Sequence, residues 1–314
     1  MAWFCSFFYK DVMRNIIYIP IALLLFVAIG CNNDQQQPVM KDEVKDAVTD
    51  TTTATAAATA LSKDGTVIAY EKNGQGPSLI VVGGALSHRN AYTRELSAKL
   101  ASHFTVISYD RRGRGESKDT KPYAVDREIE DIEALIDKAG GSVYLYGTSS
   151  GAALALLTAE KLGPTKITKL ALYEPPYGSA SKEAVASEKR AVNKFLSDDE
   201  PAEAVTFFLE KRGIPSDKME AMKQSPEWKD MVSMAPTLMY DLAILGDGTV
   251  PFDVAKRIAI PTLVMDGEKS FPFMHATADT VGKTIPGAQR KTIKGQTHNL
   301  SADAGGPVLL EFFK

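Results

Sequence analysis

The chain has 314 residues, with 36 lysines and arginines against 39 aspartates and glutamates and a formal net charge of −3. That balance gives no electrostatic reason to hold nucleic acid, and a small-molecule or ester substrate fits it better. The 2 cysteines, Cys5 and Cys31, both lie near the N-terminus, so disulfides and cysteine metal sites are excluded from the folded part.

The N-terminal segment is built like a secretory signal. From Met13 the sequence MRNIIYIPIALLLFVAIGC sets one arginine before an apolar stretch from Ile16 to Ile29. Ala28, Ile29 and Gly30 ahead of Cys31 resemble a bacterial lipobox. That resemblance implies cleavage before Cys31, lipidation of its thiol, and a cell-envelope protein anchored to a bacterial membrane. A plain transmembrane anchor would need ~20 apolar residues, more than this stretch supplies. MAWFCSFFYKDV adds nothing that a signal needs, so translation is expected to start at Met13. Residues 1–30 are thus read as a signal and 31–60, without aromatics or a sustained apolar period, as a flexible tether.

Residues 61–314 are long enough for one large α/β domain, with no internal repeat or second boundary. Strand and helix patterns alternate there, which argues for a mostly parallel sheet covered on both faces. VIAY from Val67 and SLIVVGG at 78–84 are strands, RELSAKLAS is a helix, and TVISYD at 105–110 is a strand. DREIEDIEALIDKA at 126–139 has helical apolar spacing, VYLY from Val143 is a strand, and GAALALLTAEKL is a helix. ITKLALY at 167–173 and IPTLVMD at 260–266 are strands, with RKTIK at 290–294 the last. Between Pro175 and about Asp253 the strand signal stops, and several helices are expected as an insertion. Met219, Met222, Met231, Met234 and Met239 crowd it with Trp228 and Tyr240, as core filling or as an adaptable apolar roof over a substrate. GKT at 282–284 is no phosphate loop, since Thr277 stands where the leading glycine is required.

A strand, a tight turn and a helix frame YGTSSGAA, in which Gly147, Ser149 and Gly151 satisfy G-x-S-x-G. A sharp turn projects Ser149 into a cleft, and flanking glycines are needed where chain segments pack too closely for a Cβ. Ser150 then opens the helix and aims its N–H at the cleft, its own side chain being expected to be replaceable. An N-cap reading of Ser149 would explain the serines but not both glycines. For a base, His298 in KGQTHNL follows the last strand at the carboxyl edge that also carries Ser149. His88 could line the pocket, while His103 and His275 are read as structural. A second oxyanion donor is assigned to the Ala85 N–H, with Gly83 and Gly84 letting the backbone approach.

These residues together resemble the α/β-hydrolase family over essentially all of Leu61 to Lys314. SLIVVGGAL looks like its oxyanion strand and loop, YDRRGRGES like its D-x-R-G-x-G-x-S turn, YGTSSGAAL like its nucleophile elbow, and GQTH like its histidine loop. The resemblance implies an eight-stranded, mostly parallel sheet with helices on both faces, and makes 175–253 a helical lid. It implies no cofactor and no metal.

One departure concerns the acid. The family's aspartate follows the glycine of the penultimate strand as G-x-x-D, and here Gly267 is followed three residues later by Ser270. Two carboxylates could replace it: Glu174, at the strand end where some dehalogenases of the family carry their acid, and Asp266, one residue before Gly267. The expected activity is that of a serine esterase working through an acyl-enzyme on Ser149. The missing aspartate motivates an alternative, an inactive lipoprotein that only binds. A cofactor-free perhydrolase or a C–C bond hydrolase would use the same serine and histidine.

Overall fold

The computed structural model describes residues 57–91 and 93–314, so the expected signal, Cys31 and nearly all of the tether lie outside the described residues. Eight strands form one sheet: β1 (Ala58–Leu61), β2 (Val67–Asn73), β3 (Ser78–Val82), β4 (Thr105–Tyr109), β5 (Val143–Thr148), β6 (Ile167–Tyr173), β7 (Thr262–Gly267) and β8 (Gln289–Ile293). Their order across the sheet is β1-β2-β4-β3-β5-β6-β7-β8. Only β1 with β2 and β2 with β4 pair antiparallel; every other neighbour is parallel. Every parallel strand therefore ends on one edge, and the loops that leave that edge can converge. The sheet begins nine residues before Val67, where the sequence places the first strand, because Ala58 to Leu61, three of them expected tether residues, pair with β2.

The helices are α1 (Arg94–Leu100), α2 (Val125–Lys138), α3 (Ser150–Leu162), α4 (Lys182–Ser197), α5 (Pro201–Lys211), α6 (Ser216–Lys223), α7 (Glu227–Ser233), α8 (Leu238–Ile244), α9 (Phe252–Arg257), α10 (Pro272–Thr284) and α11 (Ala302–Phe313). Alternation along the strands divides their side chains between two cores. Ile80, Val82 and Leu145 face α2, α3, α9 and α10, whereas Leu79, Val81 and Tyr146 face α1 and α11. Both faces of the sheet are thus covered, as an apolar run of parallel strands requires.

The inserted helices α4 to α8 have a core of their own, built on Val192, Val205, Phe208, Leu238 and Leu242. Trp228, Met231 and Met239 pack against it, and so do Ala85 and Leu86 from the loop after β3. The insertion therefore rests directly on the loop assigned to the oxyanion. Among the described residues, no helix is long and apolar enough to cross a membrane.

Candidate active site

Ser149 sits between β5 and α3 with φ 55° and ψ −129°, a conformation costing a non-glycine residue of order 1–3 kcal/mol. Close packing makes the turn necessary. A Cβ on Gly147 would lie 2.4 Å from the Gly151 carbonyl oxygen, and one on Gly151 would lie 2.3 Å from the Val82 oxygen and 2.5 Å from the Gly83 oxygen. Both glycines are therefore steric requirements, and the start of α3 abuts the loop that follows β3.

His298 lies in the loop between β8 and α11, which is drawn onto the end of β7. Lys269 N–H donates to the Gln296 carbonyl at 2.7 Å, the Tyr173 hydroxyl donates to the Thr297 carbonyl, and Gly267 has no Cβ to push the loop away. In that position His298 Nε2 is 3.1 Å from Ser149 Oγ and its Nδ1 is 2.6 Å from Glu174 Oε2. A carboxylate only accepts, so Nδ1 carries the hydrogen and Nε2 is left to accept from the serine.

Glu174 is fully buried, with φ 49°, immediately after β6. Its Oε1 accepts from the Gly267 N–H at 2.7 Å, and its Oε2 accepts from Ser270 Oγ at 2.8 Å as well as from His298. Ser270, at the position where the resemblance leads one to expect an aspartate, thus bonds the carboxylate that meets His298. Asp266, the alternative, does not meet His298: Oδ1 accepts from Arg290 Nη1 at 2.7 Å and Oδ2 pairs with His275 on α10. Burial acts to raise the Asp266 carboxyl, but hydrogen bonds from Arg290, His275 and Thr292 outweigh it and hold it below the ordinary carboxylate value. With a carboxylate on His298, the motive for reading the chain as an inactive binding protein is gone.

The Ser150 side chain is not idle, contrary to the expectation that it is replaceable. Its Oγ donates to Asp241 Oδ1 at 2.7 Å, within a buried cluster beneath the elbow. Arg111 donates to both Glu128 oxygens at 2.7 and 2.8 Å and to Asp241 Oδ1 at 2.7 Å. Arg114 donates to Asp241 Oδ2 at 2.8 Å and to the Gly84 carbonyl at 2.6 Å. Burial acts to raise the Asp241 carboxyl; the two arginines and the Ser150 hydroxyl more than offset this and keep it below its ordinary value. Two guanidiniums face two carboxylates, so the cluster is neutral as a whole.

Asp241 was missed by sequence reasoning because its partners Arg111 and Arg114 are distant in the chain. One signal was available. In α8 it shares the buried helical face of Leu238 and Leu242, and a carboxylate on such a face needs a buried cation. The other assignments fall where loops allow: Ala85 in the loop after β3, His88 half-buried in the same loop with Nδ1 accepting from the Asn90 N–H, and His103 exposed.

This fold and this array define an α/β-hydrolase. A family model described as the alpha/beta hydrolase family matches residues 79–306, and the chain belongs to that family of enzymes. Among solved structures it is similar to an alpha/beta hydrolase from Sphaerobacter thermophilus, with 46% identity, a TM-score of 0.76, and coverage of 82% of this chain and 100% of that one. A thermophilic esterase from Thermogutta terrifontis shares 22% identity at a TM-score of 0.66, covering 82% of this chain and 97% of that one. The enol-lactonase from Burkholderia xenovorans shares 21% identity at a TM-score of 0.66, covering 82% and 99%. At these lower identities the likeness concerns the fold.

Proposed function

We propose that the chain is a serine hydrolase that cleaves a small ester or related acyl substrate through an acyl-enzyme on Ser149. The observation that carries this reading is His298 bridging Ser149 Oγ at 3.1 Å and Glu174 at 2.6 Å. Ser149 Oγ attacks the substrate carbonyl carbon while its proton passes to His298 Nε2. The carbonyl oxygen becomes an oxyanion, stabilised by the Ala85 and Ser150 N–H groups. Collapse of the tetrahedral intermediate expels the alcohol, which takes its proton from His298. Water then attacks the acyl carbon with His298 as base, the acid departs, and the proton returns to Ser149. Glu174 fixes the tautomer through Nδ1 and stabilises the imidazolium.

The esterase and enol-lactonase neighbours fit carbonyl chemistry of this kind. Labelling with a fluorophosphonate, followed by a screen of p-nitrophenyl esters of varied chain length, tests the reading. A folded protein that never acquires an adduct at Ser149 refutes it.

The N-terminal segment carries a second part of the proposal: lipid at Cys31 holds the domain at a bacterial membrane, facing the periplasm or the cell surface, by the tether after it. Cys31→Ser then moves the protein from the membrane to the soluble fraction. Recovery of an unlipidated Cys31 peptide from membrane-bound wild-type protein would remove this part.

A further inference from the structure

One carboxylate of the insertion reaches beneath both halves of the expected oxyanion site. Asp241 on α8 is 1% exposed and spends both oxygens on the sheet side of the molecule. Oδ1 accepts from Ser150 Oγ at 2.7 Å and so fixes the residue whose N–H is one donor. Oδ2 accepts from Arg114 Nη2 at 2.8 Å, and the same guanidinium gives Nη1 to the Gly84 carbonyl at 2.6 Å. In a planar trans peptide the carbonyl and the following N–H point in opposite directions. Holding the Gly84 oxygen against Arg114 therefore turns the Ala85 N–H away from the ionic cluster. Ser87 Oγ donates to that same carbonyl at 2.8 Å, so the peptide is clamped from two sides.

We propose that Asp241 is a positioning residue for oxyanion stabilisation, fixing the Ser150 and Gly84–Ala85 peptides from within the inserted helices. The inference rests on the acyl-transfer reading of Ser149 and extends it: the insertion, besides roofing the site, completes its electrostatics. Docking of α8 and assembly of the two donors are then one event. A carboxylate that only neutralised Arg111 and Arg114 would need neither the Ser150 hydroxyl nor the route to Gly84.

The test compares wild type with Asp241→Asn and Ser150→Ala, counting active sites by fluorophosphonate titration so that misfolded protein drops out. Loss of one oxyanion donor costs roughly 10²–10³ in turnover, and misplacement of both is expected to cost about 10–100-fold in kcat per titrated site for Asp241→Asn. KM should stay within about twofold, and a boronic acid should lose affinity by the same factor as kcat, since both report the tetrahedral state. The acid limb of the pH profile of kcat/KM should not move. Backbone hydrogen exchange in residues 83–87 should accelerate while that in 295–299 does not. Unchanged kcat per titrated site, or unchanged exchange in 83–87, overturns the proposal. Should Asp241→Asn not fold, Ser150→Ala tests the elbow donor through kcat per titrated site and boronic-acid affinity, because it removes the hydrogen bonds to Asp241 and Arg111 and no charge, and unchanged values of both overturn the proposal. Absence of labelling in wild type would instead overturn the acyl-transfer reading, and exchange would then decide the coupling by itself.

Discussion

Glu174 and Asp266 stand at the ends of adjacent parallel strands, both fully buried and each bonded to a histidine, yet only the histidine on Glu174 also meets Ser149 Oγ. Their other partners differ in charge. Asp266 is met by the Arg290 guanidinium, which neutralises it within the protein. Glu174 receives a backbone N–H and a serine hydroxyl, both uncharged, so among the described residues its hydrogen-bond partner able to become a cation is His298. A buried carboxylate beside a histidine is thus not enough to define a catalytic acid. What decides is whether the second ring nitrogen has a proton to take and whether the carboxylate has kept its charge for the imidazolium.

That contrast can be broken at either end. The largest expected effect is Ser149→Ala, which should lower kcat by about 10⁴-fold or more with an unchanged circular dichroism spectrum. Glu174→Gln comes next: turnover should fall by roughly 10³–10⁴, the range of an acid-to-amide change in serine proteases, whereas Asp266→Asn should stay within about threefold of wild type. Equal losses in the two would abolish the distinction drawn between them.

Asp266→Asn should act on stability instead, by about 1–3 kcal/mol in urea at neutral pH, since it leaves Arg290 without its buried partner while that guanidinium keeps some contact with water. The sign of the pH dependence follows from the lowered Asp266 carboxyl. Its contribution is fully present above the ordinary aspartate value near 3.9 and is lost as pH falls through the lower, folded value, so the two proteins should converge in strong acid. A penalty that grew on acidification would contradict the assignment. Smallest is Ser270→Ala, expected to reduce kcat only several-fold, because Glu174 keeps the Gly267 N–H at 2.7 Å.

Much of the fold was legible because its core strands are apolar runs bounded by turns, and the strands proposed from Val67 to Lys294 all exist. The first strand was hidden by composition. ATAL at Ala58–Leu61 continues the threonine and alanine of the preceding segment and buries only Ala60, so no alternation could mark it. α11 was hidden by Gly305, Gly306 and Pro307, poor helix formers in its own interior. Packing overrides them, since a Cβ at Gly305 would lie 2.6 Å from Leu300 Cδ2 and one at Gly306 would lie 2.7 Å from Lys99 Cδ. In the site, Ser149 and His298 carry local motifs. The strand-end position favours Glu174 over Asp266, but no spacing encodes the turn after β6, where φ is 49°, that carries it to His298.

The backbone of Ser149, with φ 55° and ψ −129°, also has a thermodynamic meaning. A conformation that glycine adopts freely is held here by a residue that resists it, so the elbow withholds of order 1–3 kcal/mol from the folded state. Ser149→Gly should therefore melt at a higher temperature than wild type while losing turnover altogether. Calorimetry of that one variant would measure how much stability the protein forgoes to keep a hydroxyl at the apex of its turn.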